Sequence, residues 1–350
     1  MDLNPSTPAP APVPRRAVSI PVLAVALLVA AGLSIAGTAV VFELHPFSPP
    51  SKGPRVTVTD DLGRQVSVPA SPSRVVALGP NAMDILVRLG LRAHVVGVDC
   101  SNASLGGLMG DYTPNQTAAW NLTSAMCVVA YPQLSVEDVL NRSPALILAS
   151  SVISVPALEG IQSTYGIPVV ILNPSTLGGI VYDVETVAQI FQVSAASLVA
   201  QLQTALAGAT QFLTNLTNNG TPLRTVLASY YVVPAGAPSA GYFTFGAGSF
   251  GQSLLELSGG VNIASNSTEV SPELTGGQVL YANPGLVLCG VGFGIGLSQF
   301  AQGPDWSSLP AVQHGNVTTV DVTLMTEADP TMVLSLHLFR HLLYPNLVPA

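Results

Sequence analysis

Residues 135–148 read SVEDVLNRSPALIL, and residues 275–288 read TGGQVLYANPGLVL. Each stretch begins with Ser or Thr, has an acid or amide three residues on, then Val-Leu, a proline four residues after that Leu, and an aliphatic run. The hydroxyl and the side chain three residues later (Ser135 with Asp138, Thr275 with Gln278) read as a capping box that starts a short helix. Pro144 and Pro284 stop that helix, and the aliphatic run reads as a buried strand. Two copies of the same unit, far apart in the chain, imply two similar α/β lobes. A cleft between two lobes is where a ligand would sit.

Outward from the first copy, the pattern alternates strand and helix. VTVTDDLGRQVSVP (56–69) reads as a hairpin about Asp61-Leu62-Gly63, RVVALG (74–79) as a buried strand, and NAMDILVRLG (81–90) as a helix capped by Asn81 and ended by Gly90. Strands at 94–99 and 168–172 flank the first copy, with a helix over PALEGIQSTYG. Residues 181–216 contain no proline and one glycine, Gly208, with apolar residues at helical spacing. The expectation is one rigid helix of about 35 residues, roughly 50 Å long, joining the lobes. The second lobe restarts at LRTVLASYYV (223–232) and repeats the alternation, with parallel sheets expected in both lobes.

Charge is scarce: 9% of residues, one lysine (Lys52), net charge -8. No basic patch exists to neutralise phosphates, which excludes nucleic acid as a partner. Residues 18–42 run without a charge, preceded by Arg15 and Arg16 and followed by Glu43. As a helix this stretch spans about 37 Å, enough to cross a hydrocarbon core of ~30 Å, with the N-terminus cytoplasmic. A cleaved signal peptide with a processing site near Ala36, Gly37 and Ala39 is the alternative. The expected organisation is therefore a disordered tail (1–17), a single-pass anchor (18–42), a stalk (43–54), a first lobe (55–175), a connecting helix (176–218) and a second lobe (219–350).

Of 15 asparagines, eight begin an N-x-S/T triplet, against two to three expected by chance. Asn102, Asn115, Asn121, Asn215, Asn266 and Asn316 are the expected glycosylation sites, on a face outside the cell; Asn141 and Asn219 are weaker because proline follows the triplet. The three cysteines leave two readings open. Cys100 and Cys127 form a disulfide with Cys289 free, or all three are buried thiols.

With this pattern in hand, four stretches resemble the substrate-binding proteins of ABC importers for iron-siderophores, cobalamin and haem. They are VTDDLGRQVSVPASPSRVVALGPNAMDILVRLG (58–90), YPQLSVEDVLNRSPALILAS (131–150), FGAGSFGQSLLELSGGVNIA (245–264) and DWSSLPAVQHGNVTTVD (305–321), in family order. The resemblance covers about residues 56–345. It implies two Rossmann-like lobes joined by a long helix, a chelated metal compound as ligand, an ABC permease as partner, and no resident cofactor. Such proteins dock through one glutamate on each lobe. Glu137 occupies that place in the first copy; the second has Gly277 there, with Glu273 four residues earlier.

A bulky, largely planar ligand calls for aromatic walls and a few hydrogen-bonding groups. In the first lobe these are expected from Asn81, Tyr112, Tyr131 and Ser150. In the second they are expected from Tyr230 beside Tyr231, and from Phe243, Phe245, Ser249 and Phe293. Asn81 serves equally as a plain N-cap, and the tyrosines as packing. GAGSFG (246–251) fits a dinucleotide-binding pattern, but a tight turn facing the cleft is the better reading. His337 and His341 are one turn apart, with His45, His94 and His314 elsewhere, so no metal site is expected. No nucleophile motif is present, and no enzyme activity is expected.

Overall fold

The computed structural model describes residues 53–101, 112–131 and 133–349. The tail, the 18–42 segment, nearly all of the stalk and Asn102 lie outside the described residues. Chain order begins with a hairpin, β1 (Arg55–Thr59) and β2 (Gln65–Pro69), paired antiparallel with Val56 opposite Val68. Next come β3 (Val75–Leu78), α1 (Pro80–Arg88), β4 (Val95–Ser101), α2 (Pro114–Ala119), β5 (Cys127–Tyr131), α3 (Val136–Asn141), β6 (Leu146–Ala149), α4 (Val155–Tyr165) and β7 (Val169–Ile171). Two helices, α5 (Leu177–Phe191) and α6 (Ala196–Asn218), lead to β8 (Arg224–Val233), β9 (Gly241–Thr244), α7 (Phe250–Leu257), β10 (Gly260–Asn262) and β11 (Glu273–Leu274). The chain closes with α8 (Gly276–Ala282), β12 (Leu286–Val291), α9 (Leu297–Phe300), α10 (Pro310–Gln313), β13 (Val317–Asp321), α11 (Thr323–Thr326) and α12 (Met332–Leu343).

The first sheet is wholly parallel, in the order β5-β4-β3-β6-β7. Its order reverses between β3 and β6, and a crevice opens at the carboxyl ends of the strands at such a point. The second sheet runs β11-β9-β8-β12-β13, with β10 also beside β8. Here the expectation of a parallel sheet holds for β10, β8, β12 and β13 but not for β9, which runs antiparallel to β8, or β11. Residues 234–240 between β8 and β9 are too few for a parallel crossover, which needs a dozen or more.

The two cassette copies become α3–β6 and α8–β12. Val139 and Val279 are both fully buried, as are Leu148 and Leu288. Ser143 and Asn283, at matching positions before the prolines, both take positive φ (43° and 44°). The caps differ. Thr275 and Gln278 form the reciprocal box, whereas the Ser135 hydroxyl accepts from the Asp138 N–H and Asp138 does not reach back. Its shorter side chain accepts instead from the Val129 N–H, at 3.2 Å.

The expected single helix over 176–218 is broken. Gln192 takes a left-handed conformation (φ 56°) that ends α5, and the Val193 N–H returns to the Ala188 carbonyl. This is a helix stop of the Schellman kind, carried by a residue other than glycine. The Ser194 hydroxyl then accepts from the Ala196 N–H, where α6 begins. Helix α5 packs on β1, α1 and α7, and α6 on α5, α7 and α12. One continuous core therefore links the sheets, from Leu86 and Leu148 through Val184 and Leu202 to Leu254, Leu288 and Leu336. Separate cores cover the outer faces, with Ile147 on one sheet and Val287 on the other. Central strands buried on both faces read as unbroken aliphatic runs.

Cys100 and Cys127 are joined as a disulfide, Cα atoms 5.6 Å apart, tying β4 to β5. Cys289 is free and buried, and burial pushes its thiol up to about 12. Asn115, Asn121, Asn215, Asn266 and Asn316 are all exposed. Among the described residues no helix is long and apolar enough to cross a membrane.

Candidate functional site

A cleft of about 560 Å³ lies where the strand ends of both sheets converge. From the first sheet it takes Gly79, Pro80 and Asn81 after β3, Asp99 near the end of β4, Ser150, Val152 and Ile153 after β6, and Asn173, Pro174 and Ser175 after β7. From the second it takes Gly248, Ser249 and Phe250 at the start of α7, Val270 before β11, Phe293 after β12, Thr326 at the end of α11, and Glu327 and Ala328 after it. The size falls within the roughly 300–1,000 Å³ of small-molecule sites.

The first wall is fixed by its backbone. Helix α1 starts at Pro80 with Gly79 as its cap, so Asn81 does not cap it as expected. Asn81 is buried, and its Nδ2 donates to the Leu172 carbonyl at 2.9 Å, fastening β3's end to β7's. Gly79 has φ 135°, and a Cβ there would meet Asn81 Oδ1 at 2.7 Å and Ser150 Cβ at 3.1 Å, so only glycine fits at the switch point. The Asp99 carboxylate accepts from the Gly79 N–H at 2.9 Å and from the Tyr112 hydroxyl. The hairpin turn holds the far end of this wall: the Asp61 N–H donates to the Ile171 carbonyl, and the Asp61 carboxylate accepts from the Asn173 N–H. Asp183 backs this contact; burial, then the charge of Asp61, pushes its carboxyl up to about 9.

The second wall presents an aromatic on strained backbone. Phe293 is 50% exposed and has φ 49°, rare for a bulky residue; Gly292–Ile295 closes a turn with two backbone hydrogen bonds, at 2.9 and 2.8 Å. Strain of this kind, held by its surroundings, points to a functional position. Phe293 and Ile153 are also equivalent positions of the two cassettes, each five residues beyond the aliphatic triplet. The Ser249 hydroxyl donates to the Gly246 carbonyl at 2.7 Å and accepts from the Gln252 N–H, capping α7. Two glycines of GAGSFG are explained by packing: a Cβ at Gly246 would sit 1.8 Å from the Glu269 carbonyl oxygen, and one at Gly251 would enter the Phe245 ring, while Gly248 has open space around it and a left-handed φ of 79°.

Of the residues expected on the lips, Asn81, Ser150, Ser249 and Phe293 line the cleft together. Tyr112 is fully buried behind Asp99, its ring edge-on to Trp120 at 5.9 Å. Tyr230 hydrogen-bonds Ser271 and packs on the buried Phe245, ring centroids 5.1 Å apart, while Phe243 pairs with Tyr231 at 5.8 Å; none of the three lines the cleft. Tyr131 closes β5, and its side chain lies outside the described residues. Glu137 is exposed on the first turn of α3. Glu273 lies in β11, partly buried and opposite Phe243, while Gly277 is exposed with open space beside it. Sequence reasoning missed Asp99, Asn173, Ile153, Val270 and Glu327. All but Val270 follow or end a strand or short helix that points at the cleft, which is the signal that could have found them.

Glu327 is a strongly perturbed carboxyl on the lining. It accepts from Gln116 Nε2 at 2.9 Å, a bond that joins α2 on the first side to the chain after α11 on the second. Burial, then the charge of Asp329, pushes Glu327 up to about 8. Asp329 is itself fully buried and pushed up to about 7, by burial and then Asp84.

Two α/β sheets linked by a shared core thus bring their strand ends together at one open cleft. Residues 75–323 match the family model described as periplasmic binding protein, and the chain belongs to that family. The cobalamin-binding protein of Halobacterium salinarum is 26% identical over 241 residues, which cover 67% of this chain and 58% of that protein's length. Helicobacter pylori CeuE, solved in a nickel–histidine complex, superposes with a TM-score of 0.68 at 15% identity, covering 83% of this chain and 89% of its own. The periplasmic vitamin B12 binding protein BtuF of Vibrio cholerae gives 0.59 at 21% identity, covering 79% and 98%. At these identities the structural likenesses speak for the fold.

Proposed function

We propose that this chain is a membrane-anchored, extracytoplasmic solute-binding protein that captures a chelated metal compound and delivers it to an ABC importer. The observation that carries the reading is the cleft, lined from both sheets at their carboxyl ends. Iron-siderophores, cobalamin and haem are the ligand classes to test; the cobalamin-binding relative from Halobacterium salinarum supports the second. Anchoring rests on the uncharged run at 18–42, and the permease contact on Glu137 with Glu273. The shared core between the sheets permits only a modest hinge, so the ligand docks into a cleft largely formed in advance.

A second reading, a surface receptor or adhesion module that keeps the fold without transport, is favoured by Gly277 at the second docking place. Thermal-shift screening of the purified chain against ferric siderophores, cobalamins, haem and free metals separates the two. A true ligand at 100 times its Kd adds about 2.7 kcal/mol of stability. Phe293→Ala, at an exposed ring, should weaken that ligand about tenfold without changing the melting temperature of the free protein. A panel in which nothing shifts contradicts the transport reading.

A further inference from the structure

The lining of the cleft divides by depth. Its buried polar side chains are already fastened to the protein. Asn81 Nδ2 donates to the Leu172 carbonyl, and the Ser249 hydroxyl both donates to the Gly246 carbonyl and accepts from the Gln252 N–H. The Asp99 carboxylate accepts from the Gly79 N–H and the Tyr112 hydroxyl. Toward solvent the larger side chains are hydrocarbon. Val152 on the first wall is 76% exposed, and on the second Val270 is 60% and Phe293 50% exposed. The exposed polar side chains of the lining, Asn173, Ser175 and Thr326, are short.

Each of the three apolar side chains stands on fixed backbone. The Val152 N–H donates to the Ser150 hydroxyl at 3.4 Å, and the next N–H, of Ile153, to the Ser150 carbonyl at 3.2 Å. The Val270 carbonyl accepts from the Gly246 N–H at 3.0 Å, and Phe293 sits in the turn closed between Gly292 and Ile295. Apolar side chains scattered singly over a surface need no explanation. Three that line one cleft from both walls, on backbone held in advance, mark a binding surface.

We propose, resting on the reading of this cleft as a solute site, that Val152, Val270 and Phe293 form an apolar lip that grips a hydrocarbon edge of the chelate, and that they select chelates with such an edge over chelates ringed by amide or peptide groups. Contact with hydrocarbon gains in proportion to the area taken from water and demands no particular direction. An amide or peptide group laid across the same side chains gives up its water and meets no donor or acceptor on them. That loss sets the preference.

The test is calorimetric titration of the full chain at several temperatures with two matched pairs of probes. Ferrioxamine E and ferrichrome share a neutral ferric trihydroxamate centre; polymethylene chains edge the first and a peptide ring the second. Haem has an edge of vinyl and methyl groups, whereas cyanocobalamin has a fringe of amide arms. In whichever pair binds, the hydrocarbon-edged member should bind at least tenfold more tightly, with a clearly negative heat-capacity change. Val152→Ser and Val270→Ser should each weaken that member about fivefold and make the heat-capacity change less negative. Neither should move the melting temperature of the free protein, because both side chains are open to solvent. Leu334→Ser, at a side chain 62% exposed outside the cleft lining, should change none of these readings. Ferrichrome or cyanocobalamin binding at least as tightly as its counterpart overturns the selection. Valine variants that bind like the unaltered chain, or that weaken both members of a pair equally, overturn the lip. In each of these cases the solute-binding reading stands. Failure of all four probes overturns that reading together with the inference.

Discussion

In residues 135–148 and 275–288 the same scaffold is built twice, and the chemistry hung on it differs. Val139 and Val279, Leu148 and Leu288, and the left-handed residues Ser143 and Asn283 match in role, the first pair packing a short helix, the second filling a strand and the third holding a helix stop. The first turns diverge: Glu137 and Asp138 in one copy, Gly277 and Gln278 in the other. The lips beyond the strands diverge as well, Ile153 being buried and Phe293 exposed on a turn. Positions fixed by packing repeat, and the exposed positions, where the proposed ligand and partner contacts fall, do not. The lesson is physical: a core position has one acceptable size and polarity, whereas a surface position is free to specialise.

The equivalence is broken most severely from inside. Leu148→Ala and Leu288→Ala should each cost about 3 kcal/mol in urea unfolding. A cost below about 1 kcal/mol for one of them would mean that the two strands do not share a role.

A pH series compares the acids on the two sides of the cleft. The raised carboxyls, Asp183 beside the first wall and Glu327 on the second, ionise near pH 4 when unfolded and near 9 and 8 when folded. The folded state then binds more protons between those limits. The stability these groups contribute is full below about pH 4 and is lost as pH rises through the folded values, an effect on the order of 2 kcal/mol. Asp183→Asn should flatten the upper part of that decline and Glu327→Gln the part centred lower. Urea midpoints that rise between pH 5 and 9 would contradict this.

Smaller effects come from the caps. Ser135→Ala and Thr275→Ala should each cost about 1 kcal/mol. Gln278→Ala should cost only a few tenths, but Asp138→Ala more, because the Val129 N–H loses its acceptor. Equal costs for the last pair would erase the difference between one-sided and reciprocal caps. Smallest in stability are the two equivalent cassette positions: Glu137→Ala and Gly277→Glu should both leave unfolding within about 0.5 kcal/mol, the latter because open space surrounds Gly277. In a transport assay Glu137→Ala should lower uptake with ligand affinity unchanged. Undiminished uptake would remove Glu137 from the permease contact.

Much of this fold was legible in the chain because local chemistry and long-range structure agree where packing dominates. The hairpin at 56–69, the aliphatic strands and both proline stops follow from periodicity and turn residues. The break between α5 and α6 was hidden, since a glutamine, not a glycine or proline, takes the left-handed turn at Gln192. The antiparallel β9 was hidden because a strand's direction is set by the length of its connection and not by its own residues. At the cleft, Asn81, Ser150, Ser249 and Phe293 were recognisable as polar or aromatic residues at strand and helix ends. Tyr112 misled because it supports Asp99 from behind, and Glu327 was missed because its partners lie about 200 residues away, at Gln116 and Asp84.

Hydrogen–deuterium exchange with and without a saturating compound from the binding panel tests the two-walled cleft most directly. Protection is expected on both walls at once: at 79–81, 150–153 and 173–175 on the first, and at 248–250, 292–295 and 326–328 on the second. Protection confined to one wall, or appearing away from both, would contradict a site shared between the two sheets.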